Sequence, residues 1–234
     1  MTGTIWELAL AAAFLLLTHF GLSSTPLRQV LVDRIGEGPY RGLYSLIAVV
    51  ALAWLILAYG AAPHVPLWAW APWQNYVPLV IMPVALLLVV GGLTVRNPTA
   101  VGQDDALQED EAVRGLLRIT RHPFLWGAGL WGLAHLVPNG DLASMIFFGT
   151  LATLGILGAA LIDAKRRGLG GADWRRFERA SSFIPFAAIA AGRQSLGRAA
   201  AEFGAVRLLV VVVLYGALLH AHPWLFGAPA IPPG

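Results

Sequence analysis

Six apolar stretches of roughly membrane-spanning length, with all the basic residues but Arg207 falling in every second connection, constrain this chain more than any other feature. They run Leu8–Leu27, Gly42–Gly60, Val77–Val95, Leu117–Val137, Leu142–Ile162 and Gly204–Leu219, each close to the ~20 residues that carry a helix across a bilayer. The first loop holds Arg28, Arg34 and Arg41, and the third Arg96, Arg114, Arg118 and Arg121. The fifth holds Lys165, Arg166, Arg167, Arg175, Arg176, Arg179, Arg193 and Arg198. Both termini, the Ala61–Tyr76 connection and the Pro138–Asp141 turn carry none. Arginine and lysine are retained on the cytoplasmic side during insertion. The pattern therefore predicts one all-α domain over 1–234, a membrane bundle of six helices with both termini outside.

Composition agrees. Apolar residues make up 57% of the chain and charged residues 12%, about half the charged share of a soluble domain. With no cysteine, disulfides, thiolate metal sites and thiolate-ligated haem are excluded. Fifteen of the sixteen basic residues are arginine, and their placement suits a bilayer face and no nucleic acid. The first segment lacks a basic leader and a small-residue cleavage site, so it reads as a retained helix.

The connections have their own character. Trp68, Trp70, Trp73 and Tyr76 read as an interfacial aromatic girdle, held non-helical by Pro63, Pro66 and Pro72. On the other side, Val101–Val113 is acidic (Asp104, Asp105, Glu109, Asp110, Glu111) and reads as solvated. Ala172–Ala180 reads as a short basic amphipathic helix with Trp174 and Phe177 turned toward lipid.

The functional signal lies in the histidines. Hydrocarbon gives an ionisable side chain no water, so an intramembrane histidine needs a partner or a ligand. His19 falls near the middle of the first span, ~14 Å from Arg28 at 1.5 Å per residue, and His135 lies ~20 Å from His122. The two are thus expected within ~5 Å in depth. Gly127, Ala128, Gly129, Gly132 and Ala134 surround the second one. Such residues let helices approach closely or leave room for a flat cofactor. Imidazoles on facing helices can hold a haem iron from both sides. The competing reading is that each histidine only hydrogen-bonds a carbonyl nearby. The Ser23-Ser24-Thr25-Pro26 step allows the first helix to end early and drop His19 toward the inner surface.

His122 stands apart, at a helix start beside Arg121 and before Pro123, which suits a first helical turn. A cationic pair next to free helix N–H groups makes an anion site for a head group, and a simple helix cap is the alternative. His64, His220 and His222 read as interfacial anchors.

These residues also carry a resemblance. His19 with Ser23 and Arg28, Arg96-Asn97-Pro98-Thr99 with Gly102, Ile119-Thr120-Arg121-His122-Pro123 with Gly127, His135, and Phe183-Ile184-Pro185-Phe186 through Gly192-Arg193-Gln194 are similar to the NnrU family. That family's domain is shared with plant 15-cis-zeta-carotene isomerase. The resemblance implies a multi-pass protein of a bacterial inner membrane with haem b held by His19 and His135. Arg121, His122 and Asn97 would bind a substrate or head group. It implies a link to nitrite and nitric oxide reduction, as an enzyme or as a partner of a respiratory reductase, or a haem-dependent cis–trans isomerase of an apolar polyene. Gly132 stands where the plant isomerase has a cysteine, so thiolate ligand exchange has no counterpart here. A second pattern, Arg121, His122, Pro123, Gly127, Asp163, Gly171, Trp174, Phe177 and Ile184-Pro185, resembles the isoprenylcysteine carboxyl methyltransferases. It implies S-adenosylmethionine-dependent methyl transfer as the alternative.

Overall fold

A computed structural model of the chain describes residues 2–109 and 111–232. Among these the only regular elements are helices: α1 (Ile5–Ser24), α2 (Leu27–Ile35), α3 (Glu37–Ala61), α4 (Tyr76–Thr94), α5 (Pro123–Leu136), α6 (Leu142–Leu169), α7 (Ala172–Ala180), the single turn α8 (Ala187–Ala190) and α9 (Leu196–Phe226). Five segments are long and apolar enough to cross a membrane: α1, α3, α4 with its preceding turn, α6 and α9. The sixth, α5, has only 14 residues, or ~21 Å of rise. It is packed between α4 and α6 and spends little of its surface on lipid.

Helix ends follow local chemistry. Thr4 and Asp141 cap α1 and α6 through their side-chain oxygens, satisfying N–H groups that have no partner within the helix. The Ser23–Pro26 step does end α1, at Ser24. The span expected over Leu117–Val137 begins later: Gly115–Arg118 is a 3-10 turn, and the helix starts with Pro123 at its first position. The final span is longer than expected. It begins at Leu196 and is broken at Gly204, whose φ of 79° and ψ of 159° are not helical.

The two ends of the bundle are chemically distinct. At one end Gly3 lies against the Ala61 carbonyl. There the Leu142 N–H donates to Val65 O (2.9 Å), and the Asn75 side chain donates to Pro229 O and Ala230 O. Both termini and two loops therefore share this neutral end, which has no lysine or arginine. The other, basic end gathers all sixteen cations, Arg207 included, since its guanidinium reaches Thr94 at the end of α4. Its acidic stretch is charge-paired rather than merely solvated. Arg96 holds Asp105 and Glu109, Arg166 holds Asp104, and Glu111 bridges Arg118 and Arg198. Asp110 lies outside the described residues.

Candidate functional site

The glycine-rich face of α5 sets the geometry around the site. A Cβ on Gly127 would sit 2.7 Å from Ala85 O, on Gly132 2.8 Å from Phe148 O, and on Gly155 2.6 Å from Leu125 O. The small residues thus bring the α4, α5 and α6 backbones into contact. Of the two uses open to them, close approach is the one realised at these glycines.

Close approach places the start of α5 beside the inner part of α6, where Asp163 is the buried acid. Arg121 Nε donates to both carboxylate oxygens of Asp163 (3.0 and 2.8 Å), and Nη2 donates to Oδ2 at 2.6 Å. His122 Nε2 lies 2.7 Å from Oδ1. Arg121, His122 and Asp163 are 4%, 1% and 2% exposed. The guanidinium keeps the carboxylate ionised, so the carboxylate can only accept. Nε2–H of a neutral imidazole is then the donor. This fixes the tautomer and leaves Nδ1 an acceptor, buried and without a hydrogen-bond partner. His122 lies in the connection before α5. Burial lowers its pKa below the ordinary imidazole value, Arg121 adds to the lowering, and the Asp163 hydrogen bond and charge oppose it.

Neighbouring segments hold the backbone of this cluster. Arg121 N–H donates to Ser182 O, Phe186 N–H to Ile119 O, and the Thr120 hydroxyl to Phe183 O. Phe186 takes φ 67°, an uncommon conformation for a non-glycine residue in the strap beside the site. Asn97 Nδ2 and the Thr99 hydroxyl both donate to Arg121 O. Phe183 stands edge-on to His122 and Trp126, at ring distances of 5.9 and 5.7 Å. The α7 side chains Trp174 and Phe177, expected against lipid, are instead buried against Val113 and Leu117. Their burial docks α7 on the protein, which leaves Glu178 3.6 Å from Arg121.

The head-group site expected from Arg121, His122 and Asn97 takes a different form. All three residues are together, but each is turned inward: the guanidinium is neutralised by Asp163, and the Asn97 amide is spent on backbone. The pair is therefore not an open cationic site. Asp163 had a readable signal, since a lone acid following Leu161-Ile162 in an apolar helix needs a buried partner. Thr99, Ser182 and Phe183 gave none, because their roles depend on loops folding back.

His19 and His135 are not brought together. The Tyr44 hydroxyl lies 2.8 Å from His19 Nε2 and 3.0 Å from Nδ1. Phe20, the next residue, packs at Gly158 of α6. His135 Nδ1 donates to Trp131 O at 2.8 Å, and its ring stacks on Phe148. Gly158 and Phe148 are ten residues apart on α6, so the imidazoles differ in depth by ~15 Å rather than ~5 Å. The cause is the early end of α1, which leaves His19 near the basic end, while His135 occupies the last turn of a short α5 at the neutral end. One iron needs both nitrogens within a few ångströms, and these residues do not fit a haem shared between them in one chain.

What the fold and this cluster define is a multi-pass membrane protein with a buried Arg–His–Asp unit at its basic end. The sequence model of the NnrU family, described as NnrU protein, matches residues 7–230, and the chain belongs to that family. It is also similar to 15-cis-zeta-carotene isomerase, chloroplastic, of Arabidopsis thaliana, 35% identical over 116 residues, 49% of this chain and 31% of that protein. The Zea mays protein of the same name is 31% identical over 110 residues, 47% of this chain and 30% of that one. The chain thus aligns with less than a third of these relatives' length. No solved structure matches it.

Proposed function

We propose that this protein is a membrane-embedded isomerase acting on a cis double bond of an apolar polyene, oriented with its basic end toward the cytoplasm of a bacterial inner membrane. The observation that carries the reaction class is the identity with two zeta-carotene isomerases across half the chain. The geometry supplies a site consistent with it. His122 presents Nδ1, a buried acceptor of fixed tautomer, beside Trp126 and Phe183. Aromatic surface of this kind is suited to packing against an unsaturated hydrocarbon. Asp163 and Arg121 act through His122 by holding its ring and its proton. Because His19 and His135 are apart, no step is assigned to haem.

The test is a proteoliposome assay that follows loss of the 15-cis isomer of zeta-carotene by chromatography, run with and without added haem b. Turnover in either condition, reduced at least about tenfold by His122→Ala, is the expected result for a residue in the reacting site. Wild-type protein inactive in both conditions overturns the reaction class. Turnover unaffected by His122→Ala moves the site elsewhere.

A further inference from the structure

A second built site lies at the neutral end, away from the Arg–His–Asp unit and independent of the reaction proposed above. The strap Val65–Trp68 is pinned over the loop that enters α6. Gly140 O accepts from Leu67 N–H at 2.7 Å and from Trp68 N–H at 3.2 Å, and Val65 O accepts from Leu142 N–H. Gly140 packs so tightly that a Cβ there would meet Trp68 at 2.6–2.7 Å. Between strap and loop is a cleft of about 490 Å³ whose lining includes Tyr59, His64, Trp68, Trp70, Asn139 and Asp141.

The polarity of this cleft is one-sided. Asp141 is buried, and among the described residues this end of the molecule has no lysine or arginine to pair with it. Its carboxylate accepts from Ser144 N–H (3.0 Å) and from the Ser144 hydroxyl (2.6 Å). Each carboxylate oxygen can accept again. Since the Ser144 proton is committed to Asp141, the Tyr59 hydroxyl, 2.9 Å from Ser144 Oγ, must donate to it. Three further N–H groups are also spent. Trp68 Nε1–H goes to Val137 O, Trp70 Nε1–H to Asn75 Oδ1, and the Asn139 amide to His135 O. Besides the His64 imidazole and the second Asn139 N–H, the cleft presents acceptors, one formal negative charge and two indoles, at the end of the molecule that has no lysine or arginine.

We propose that this cleft binds a primary ammonium group. An ammonium has three N–H donors and no acceptor, the complement of Asp141, Asn139 Oδ1 and Tyr59 Oη, and indole rings attract cations. A quaternary ammonium has the charge but no N–H to give. At the membrane–water interface such a group comes from an aminophospholipid head group or from a free alkylamine.

Native mass spectrometry of the full chain in detergent tests the site, using phosphatidylethanolamine, phosphatidylcholine and phosphatidylglycerol as probes. Phosphatidylethanolamine is expected to be retained preferentially, with Asp141→Asn lowering retention about tenfold through loss of a charge-assisted hydrogen bond. Asparagine also caps helices, so the fold is kept. Should Asp141→Asn still misfold, Trp70→Leu at the half-exposed rim carries the test, with a smaller loss expected. Displacement of the lipid by millimolar ethanolamine assigns the site to free amines, and lack of displacement assigns it to the lipid head group. Equal retention of phosphatidylglycerol, equal retention of phosphatidylcholine, or wild-type retention by both variants would overturn the proposal.

Discussion

Asp163 holds two partners that cannot share it without consequence. An ion pair removed from water forms only when its hydrogen bonds are complete, and deleting one member leaves a buried charge unpaired. Here Arg121 takes both carboxylate oxygens and His122 takes Oδ1 again, so the imidazole is neutral and acts as donor. Its lowered pKa gives a definite pH dependence. The unfolded histidine takes up a proton near pH ~6.5, while the folded one resists protonation until lower pH. The stabilisation is therefore complete above ~6.5 and is lost as pH falls toward the folded value. Thermal unfolding in detergent should show Tm falling between about pH 7 and 5, and His122→Gln should flatten that slope. An unchanged slope in the variant would mean that the histidine is not held neutral by the fold. The Arg121-His122-Pro123 triplet was evident in the chain as a helix start. Its acid entered only through the methyltransferase-like pattern that also holds Asp163, because Asp163 is separated from Arg121 by 42 residues and nothing local says which acid returns to it.

The helices show how residue size sets architecture. The apolar runs predict lengths, yet α5 is short because Gly115–His122 is spent on a 3-10 turn and a loop that folds under α7. Where α5 meets α6, Gly132 and Gly155 mark backbone crossings. Gly132→Ala forces a methyl to 2.8 Å from Phe148 O, whereas Gly149 of α6 has nothing within 4 Å. Gly132→Ala should destabilise the detergent-solubilised protein by about 1–3 kcal/mol, the usual range for overpacking. Gly149→Ala should be neutral or slightly stabilising, since alanine is the better helix former. Comparable Tm values for the two variants would refute the close α5–α6 packing. The amphipathic pattern of α7 was correctly legible as a helix with one apolar face. The partner of that face was not, because lipid and protein core attract the same side chains.

At the scale of the whole molecule, charge divides the protein into a basic end and a neutral end, and each end carries a distinct buried carboxylate. Asp163 is compensated by Arg121, while Asp141 has no lysine or arginine partner among the described residues. The absence of cysteine makes the orientation directly measurable with single introduced thiols. Ala228→Cys at the neutral end should react with a membrane-impermeant maleimide in intact cells. Arg175→Cys on α7 should react only after permeabilisation. The reverse pattern would invert the topology, and reaction of both in intact cells would break the six-span reading.

Span number, the sharing of one end by both termini and the segregation of cations are one-dimensional properties. A bilayer reads them as hydrophobic length and charge, so the sequence by itself determined them. The tertiary structure alone decided that Asp163 meets Arg121 and His122, that Trp174 and Phe177 face protein, and that His19 and His135 stand far apart in depth. It also closed the Asp141 cleft. These depend on where helices begin and end to within a turn and on which faces meet. One turn moves a side chain ~5 Å along the axis and a single residue swings it by ~100°. Such offsets are settled only when every helix is packed against its neighbours.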